Sequence, residues 1–264
     1  MAKATSSEKT KKRKSSGLWD TIRTVAYAVI AAMVVRSVAL EPFNIPSGSM
    51  IPTLMVGDYL FVSKYAYGYS KHSFPFSIGP FDGRIFESPV KRGDVVVFKL
   101  PRDNTTDYIK RIVGLPGDKL QVTNGVLHIN GKAVPKVRTD SFPYTSYPYD
   151  EQYGIERNFP TYDETLPNGI KYLSYDLAPR GPLDNTDVYE VPAGHYFAMG
   201  DNRDNSTDSR VPISQHGVGF VPAENLVGRA EVLFFSTNGS ASWWEIWGWP
   251  GSIRWGRLFQ TITE

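Results

Sequence analysis

The chain has no cysteine. That excludes disulfides, a thiol nucleophile and cysteine metal sites. Histidine is sparse, and His72, His128, His195 and His216 stand apart with no metal-ligand spacing such as H-E-x-x-H. Charge of one sign is lacking as well, since 29 Lys and Arg against 27 Asp and Glu leave a net charge of +2. Long hydrophobic runs are nearly absent, and residues 24–35, TVAYAVIAAMVV, form the only long uncharged one. No internal repeat is visible.

What is present is unevenly placed. Residues 1–16 hold Lys3, Lys9, Lys11, Lys12, Arg13 and Lys14 against the single acid Glu8, and the rest of the chain is mildly acidic. A basic arm of this kind is most often solvated. Twelve helical residues span roughly 18 Å, short of a bilayer core of ~30 Å. The wider stretch 18–40 would span about 34 Å, with Asp20, Arg23 and Arg36 near its ends and Trp19 where an interfacial aromatic sits. The basic tail predicts that the N-terminus stays in the cytoplasm. Three readings stay open: a retained anchor, a cleavable signal peptide with small residues at Ser37-Val38-Ala39, and a buried core helix.

Apolar and charged fractions of 41% and 21% suit a globular protein with a real core. Beyond residue 42 the chain reads as mainly β. DYLFVS (58–63), DVVVFKL (94–100), residues 108–113 and RAEVLFF (229–235) predict strands. Pro116-Gly117 suits a type II turn, and Asn124-Gly125 and Asn130-Gly131 predict hairpin turns around VLHI. Residues 131–192 carry eight of the fifteen tyrosines and many prolines, and are expected to be an inserted, irregular β subdomain. Residues 65–90 read as an extended loop or ribbon.

Two motifs are decoys. Ser88-Pro89-Val90-Lys91 matches S-x-x-K, but FESPVKRGD has no helical period to bring the serine and lysine together. In MGDNRDNSTDSR (199–210), counting a calcium loop from Asp204 puts Ser209 where glycine is needed and Gln215 where glutamate is needed. Asn205-Ser206-Thr207 is formally a glycosylation sequon, a pattern common by chance. A serine nucleophile needs a base. With no histidine in a suggestive context, a lysine made neutral by burial or by a neighbouring cation is the alternative. Lys110, in YIKRIVGLPGD, lies in a predicted apolar strand, where a lone lysine is ordinarily exposed.

Five blocks then occur in a telling order: EPFNIPSGSMIPTLMVG (41–57), RGDVVVFKLP (92–101), YIKRIVGLPGD (108–118), GDNRDNSTDSR (200–210) and GFVPAENLVGRA (219–230). Together they resemble the bacterial type I signal peptidases, which use a Ser-Lys dyad. That resemblance implies a fold class of mainly antiparallel β-sheets with an inserted β subdomain, preceded by one transmembrane helix. The implied layout is a basic cytoplasmic tail over 1–17, an anchor over 18–40, a catalytic core over 41–130 and 193–264, and an insertion over 131–192.

Residue by residue, the resemblance makes Ser49 the nucleophile and Lys110 the general base. The Ser49 N–H and the Ser47 hydroxyl would bind the oxyanion, with Gly48 allowing the turn that aims both. Ser206 would hydrogen-bond and orient the lysine. Asp208 with Arg210, and Asp201 with Arg111, would be supporting ion pairs. The substrate would add as a strand between 43–47 and 107–110, with Phe43, Ile45, Pro46, Met50, Leu54, Asp107, Tyr108 and Ile109 at the pockets. The implied partners are signal peptides of exported preproteins, cut after small-x-small, and inner-membrane lipid, with no nucleic acid, cofactor or metal. The implied location is the bacterial inner membrane, single-pass, with the catalytic domain periplasmic. The family often has two N-terminal spans, where one is visible here. A self-cleaving repressor with the same dyad and a non-catalytic anchored β-domain are the competing functions. The C-terminal SWWEIWGWPGSIRW holds five of six tryptophans and reads as an interface belt or a packed aromatic core.

Overall fold

The structure, a computed structural model, describes residues 17–74, 77, 79, 82–139, 142–144, 157–176, 180–242 and 244–262. The basic tail up to residue 16 and parts of the expected insertion lie outside the described residues.

Helix α1 (Gly17–Val38) takes up the apolar run. Its segment Trp19–Val38 has a mean hydropathy of 1.5, and only 6% of it is buried. The buried-core-helix reading therefore fails, because these apolar side chains have no core around them. Thr21 and Thr24 donate to the carbonyls of Gly17 and Asp20, so their hydroxyls are satisfied along the helix.

Eighteen strands follow among the described residues. The first six are β1 (Leu40–Asn44), β2 (Asp58–Ser63), β3 (Tyr69–Ser70), β4 (Arg84–Ile85), β5 (Val95–Lys99) and β6 (Asp107–Gly114). The next group is β7 (Lys119–Thr123), β8 (Val126–Ile129), β9 (Lys132–Ala133), β10 (Lys136–Arg138), β11 (Phe142–Tyr144) and β12 (Arg157–Phe159). The last are β13 (Thr161–Thr165), β14 (Lys171–Tyr175), β15 (Tyr189–Glu190), β16 (His195–Met199), β17 (Val221–Pro222) and β18 (Leu226–Ser236). The expected all-antiparallel character holds in every strand pairing described.

The main sheet has the order β1-β2-β18-β5-β6-β16-β17. Its central strands are covered on both faces. Val95 and Val97 enter one core cluster with Leu60, Val62 and Leu233, while Val96 and Phe98 enter another with Ile112, Ala198 and Val221. Alternation between two buried faces explains the unbroken apolar run VVVF. The two Asn-Gly pairs turn as expected, with positive φ at Asn124, Gly125, Asn130 and Gly131, and they build the sheet β15-β7-β8-β9. Within 131–192, β10-β13-β14 form one sheet and β11-β12 a ribbon. Residues 65–90 contain short 3-10 turns and the β3-β4 ribbon.

Candidate active site

The PSGSM stretch leaves β1 and tightens into a 3-10 turn, Gly48–Met50. Met50 is fully buried and pins the turn to the core, and Leu54 N–H donates to the Met50 carbonyl at 2.9 Å. Gly48 has no left-handed φ, and a Cβ there would meet the tip of Ile51 at 2.9 Å and Asn205 Nδ2 at 3.7 Å, so the backbone of the turn does not by itself demand glycine. The glycine that matters sterically is Gly200. A Cβ on it would stand 2.2 Å from Ser206 Oγ and 2.6 Å from the Ser49 carbonyl oxygen.

Strand β6 delivers Lys110 to this turn. Its Nζ lies 2.7 Å from Ser49 Oγ and 2.9 Å from the Ile109 carbonyl oxygen. The side chain is 3% exposed. Burial pulls the ammonium down to about 8, with Asp208 and Asp201 resisting the shift and Arg210 assisting it. A neutral amine has two N–H groups and one lone pair. One N–H can serve the Ile109 carbonyl, and the lone pair can then accept the Ser49 hydroxyl proton.

Two buried ion pairs frame the dyad. Arg210 grips Asp208 through Nε at 2.9 Å and Nη2 at 2.8 Å. Burial raises the Asp208 carboxyl, but the Arg210 charge and hydrogen bonds and the Gly200 N–H outweigh it, so the net shift is downward. Arg111 grips Asp201 at 2.9 and 2.7 Å. Consecutive strand residues leave on opposite sides, so Lys110 reaches Ser49 while Arg111 reaches Asp201. Ser206 departs from expectation. Its Oγ is buried with no well-aligned hydrogen bond among the described residues, although it lies close enough to the Asp208 carboxylate to help hold that group down, and the Lys110–Ser206 bond that the resemblance implies is not made.

A cleft of about 520 Å³ opens beside the dyad. Phe43, Ile45, Pro46 and Ser47 form one wall, Asp107, Tyr108 and Ile109 the other, and Asn205 and Thr207 border it. Met50 and Leu54 do not line it. Both are fully buried in the core, where they are worth more as packing than as pocket wall. Both walls are open strand edges. Among the described residues β1 ends the sheet, and β16 pairs with β6 at Arg111, Ile112 and Gly114, leaving one edge of 107–110 without a described backbone partner.

The profile of the family described as "Signal peptidase, peptidase S26" matches residues 18–235. The chain belongs to this signal peptidase family. Curated relatives agree: the Signal peptidase I of Rickettsia conorii (strain ATCC VR-613 / Malish 7) is 40% identical over 256 residues, covering 90% of each chain. That of Rickettsia akari (strain Hartford) is 41% identical over the same length, with the same coverage. A solved signal peptidase I from Enterococcus faecalis V583 is 25% identical and covers 54% of this chain and 97% of its own, but at a TM-score of 0.30 that superposition adds nothing to the assignment. Membership in this signal peptidase family makes the chain a serine peptidase.

Several contacts of this signal peptidase were not read from the sequence. Asn202 donates from its backbone N–H to the Ser49 carbonyl at 3.1 Å and from Nδ2 to the Gly48 carbonyl at 2.9 Å. Thr53 donates to Asp201 at 2.6 Å. Asn202 sits inside the quoted 200–210 block, so the block carried the signal although the residue was not singled out. Asp176, Asp184 and Asp204 bring carboxylate oxygens within 4.8 Å of one another, where Lys136 already pairs with Asp176 and the Arg180 and Gly181 N–H groups with Asp184.

Proposed function

We propose that this signal peptidase is a membrane-anchored endopeptidase that cuts signal peptides from exported preproteins after a small-x-small motif, with Ser49 as nucleophile and Lys110 as general base. One observation carries the reading: Lys110 Nζ stands 2.7 Å from Ser49 Oγ, buried, and beside a cleft bounded by two open strand edges. Ser49 Oγ attacks the scissile carbonyl as Lys110 takes its proton. The lysine then returns that proton to the leaving amine. Water, deprotonated by Lys110, then attacks the acyl-enzyme, and Lys110 returns that proton to the departing Ser49 Oγ. The Ser49 N–H and the Ser47 hydroxyl, whose Oγ is 3.5 Å from Ser49 Oγ, bind the oxyanion. One such donor is worth roughly 3 kcal/mol in the transition state. An extended substrate adds as a strand between the two free edges, and Phe43, Ile45, Tyr108 and Ile109 blunt the pockets so that only small side chains enter.

Helix α1 is the anchor in this reading, with the catalytic core over 41–130 and 193–264 on the far side of the membrane from the basic tail. Ser37-Val38-Ala39 is a poor cleavage site. The helix runs through Val38, the Ala39 N–H still bonds Val35, and Arg36 is paired with Glu41 at 2.7 Å. A peptidase needs extended chain at the bond it cuts. Trp244, Trp247, Trp249 and Trp255 remain exposed instead of forming a core, which suits indoles dipping into headgroups.

The test uses the full chain in detergent with a preprotein ending its signal in Ala-x-Ala. Ser49→Ala and Lys110→Ala should each abolish cleavage while the fold persists. Full activity in either variant would sink the dyad.

A further inference from the structure

A buried polar network ties the insertion to the segment behind the catalytic turn, with Arg203 Nε left unpaired among the described residues. Glu164 of β13 faces Tyr172 of β14 in register, and Ser174 lies two residues further along the same strand face. The Glu164 carboxylate accepts from Tyr172 OH at 2.7 Å, from Ser174 Oγ at 2.7 Å and from Arg203 Nη2 at 2.6 Å. Arg203 Nη2 also lies 2.8 Å from the Tyr172 hydroxyl oxygen. All four side chains are buried, and Glu164 is 1% exposed. The cost of withdrawing four polar groups from water is offset only by close mutual pairing, and removing one partner leaves the others buried and uncompensated.

The network divides into two arms. In one, Arg203 belongs to the segment that holds the nucleophile. Its N–H donates to the Tyr175 carbonyl at 2.8 Å, the Tyr175 N–H donates to the Asp201 carbonyl at 2.8 Å, and Asn202 between them holds the Ser49 and Gly48 carbonyls. Its own carbonyl accepts from Arg210 at 2.6 Å. In the other, the Arg111 guanidinium lies 4.3 Å from the Tyr172 ring centroid, and Arg111 is the chain neighbour of Lys110.

Resting on the Ser49–Lys110 reading above, we infer that Glu164 and Tyr172 are positioning residues of the peptidase, acting on Ser49 through Arg203 and Asn202 and on Lys110 through Arg111. They touch no substrate, and the cleft is lined without them. The insertion is thereby part of the catalytic apparatus.

Two variants test this. Glu164→Gln leaves the Arg203 charge without its carboxylate. Tyr172→Leu removes the surface on which Arg111 lies. Activity is expressed per titratable serine, counted with a serine-directed acylating probe, so that losses of folded enzyme cancel. The expected result is a fall in kcat of about tenfold to a hundredfold with KM within about twofold, because the reacting geometry shifts while the cleft is untouched. The acid limb of the pH–rate profile is a second readout. The groups facing Lys110 are Ser49, Asp208, Asp201, Arg210 and the Tyr108 ring, 5.3 Å away, with Arg111 beside it. An unneutralised Arg203 adds positive charge behind Asp201, so the limb should move to lower pH in Glu164→Gln.

Leu166→Ala, in the same β hairpin but in its apolar core, is the comparison. It should lower Tm while keeping kcat per serine and the limb unchanged. If Glu164→Gln fails to fold, the paired Glu164→Leu/Arg203→Met variant, which leaves no buried charge unpaired, takes its place with the same kcat readout. Wild-type kcat per serine in both Tyr172→Leu and the Glu164 variant overturns the inference. If Ser49→Ala or Lys110→Ala retains activity, the dyad reading fails instead, and the two failures are distinguishable.

Discussion

At the scale of single residues, Lys110 and Gly200 decide most. Burial lowers Lys110 from 10.5 to about 8, a bias of roughly 3 kcal/mol against the charged amine. On the proposed dyad the neutral base exists above that pH, so kcat/KM should rise through an apparent pKa near 8, and a limb near 10 would contradict the buried base. Stability follows the same shift. Between pH 8 and 10.5 an unfolded lysine holds a proton that the folded one has released, so the wild type gains stability as pH rises through this window. Lys110→Met lacks that gain. Thermal melts at pH 7 and 10 should show its advantage over the wild type shrinking, and a constant gap would refute the argument. Gly200→Ala thrusts a methyl against Ser206 and the Ser49 carbonyl. A displacement of that size should cost at least ~100-fold in kcat. Cleavage near the wild-type rate would show that the turn yields freely.

Among the elements, the proposed function assigns specificity to the open edges of β1 and β6. On that proposal the edges supply backbone bonds, and the side chains between them supply the size limit. Ile109 is partly buried on the cleft wall, so Ile109→Ala should enlarge the space without opening the sheet. The kcat/KM ratio for substrates with Val against Ala before the scissile bond should rise by about tenfold. An unchanged ratio would place the limiting pocket elsewhere. The strands themselves were readable, because the run at 94–100 and the Asn-Gly pairs report local backbone preference. The partial pairing of β6 with β16 was not readable, since it depends on a strand more than 80 residues away.

On the scale of the whole molecule, the buried charges predict an acid limit. Glu164 and Asp208 both titrate below their ordinary values: burial pushes each up, but Arg203 and Arg210 and their hydrogen bonds pull further down. Their stabilising contribution is present above the unfolded carboxylate pKa and disappears as pH falls through the folded one. Unfolding midpoints should therefore drop steeply below about pH 4, and Glu164→Gln should flatten that drop. An equally steep drop in the variant would deny Glu164 its role. Sequence by itself determined the apolar helix, the antiparallel strands with their turns, and the ordered blocks that carry Ser49, Lys110 and the two ion pairs. Each is written locally, in periodicity, turn chemistry or a short motif. Only the tertiary structure decided that Ser49 and Lys110, 61 residues apart, lie at hydrogen-bond distance, that Ser206 makes no bond to Lys110, and that Glu164 reaches Arg203 while Tyr172 reaches Arg111. Burial and long-range proximity belong to the packed chain, and no short stretch of residues encodes them.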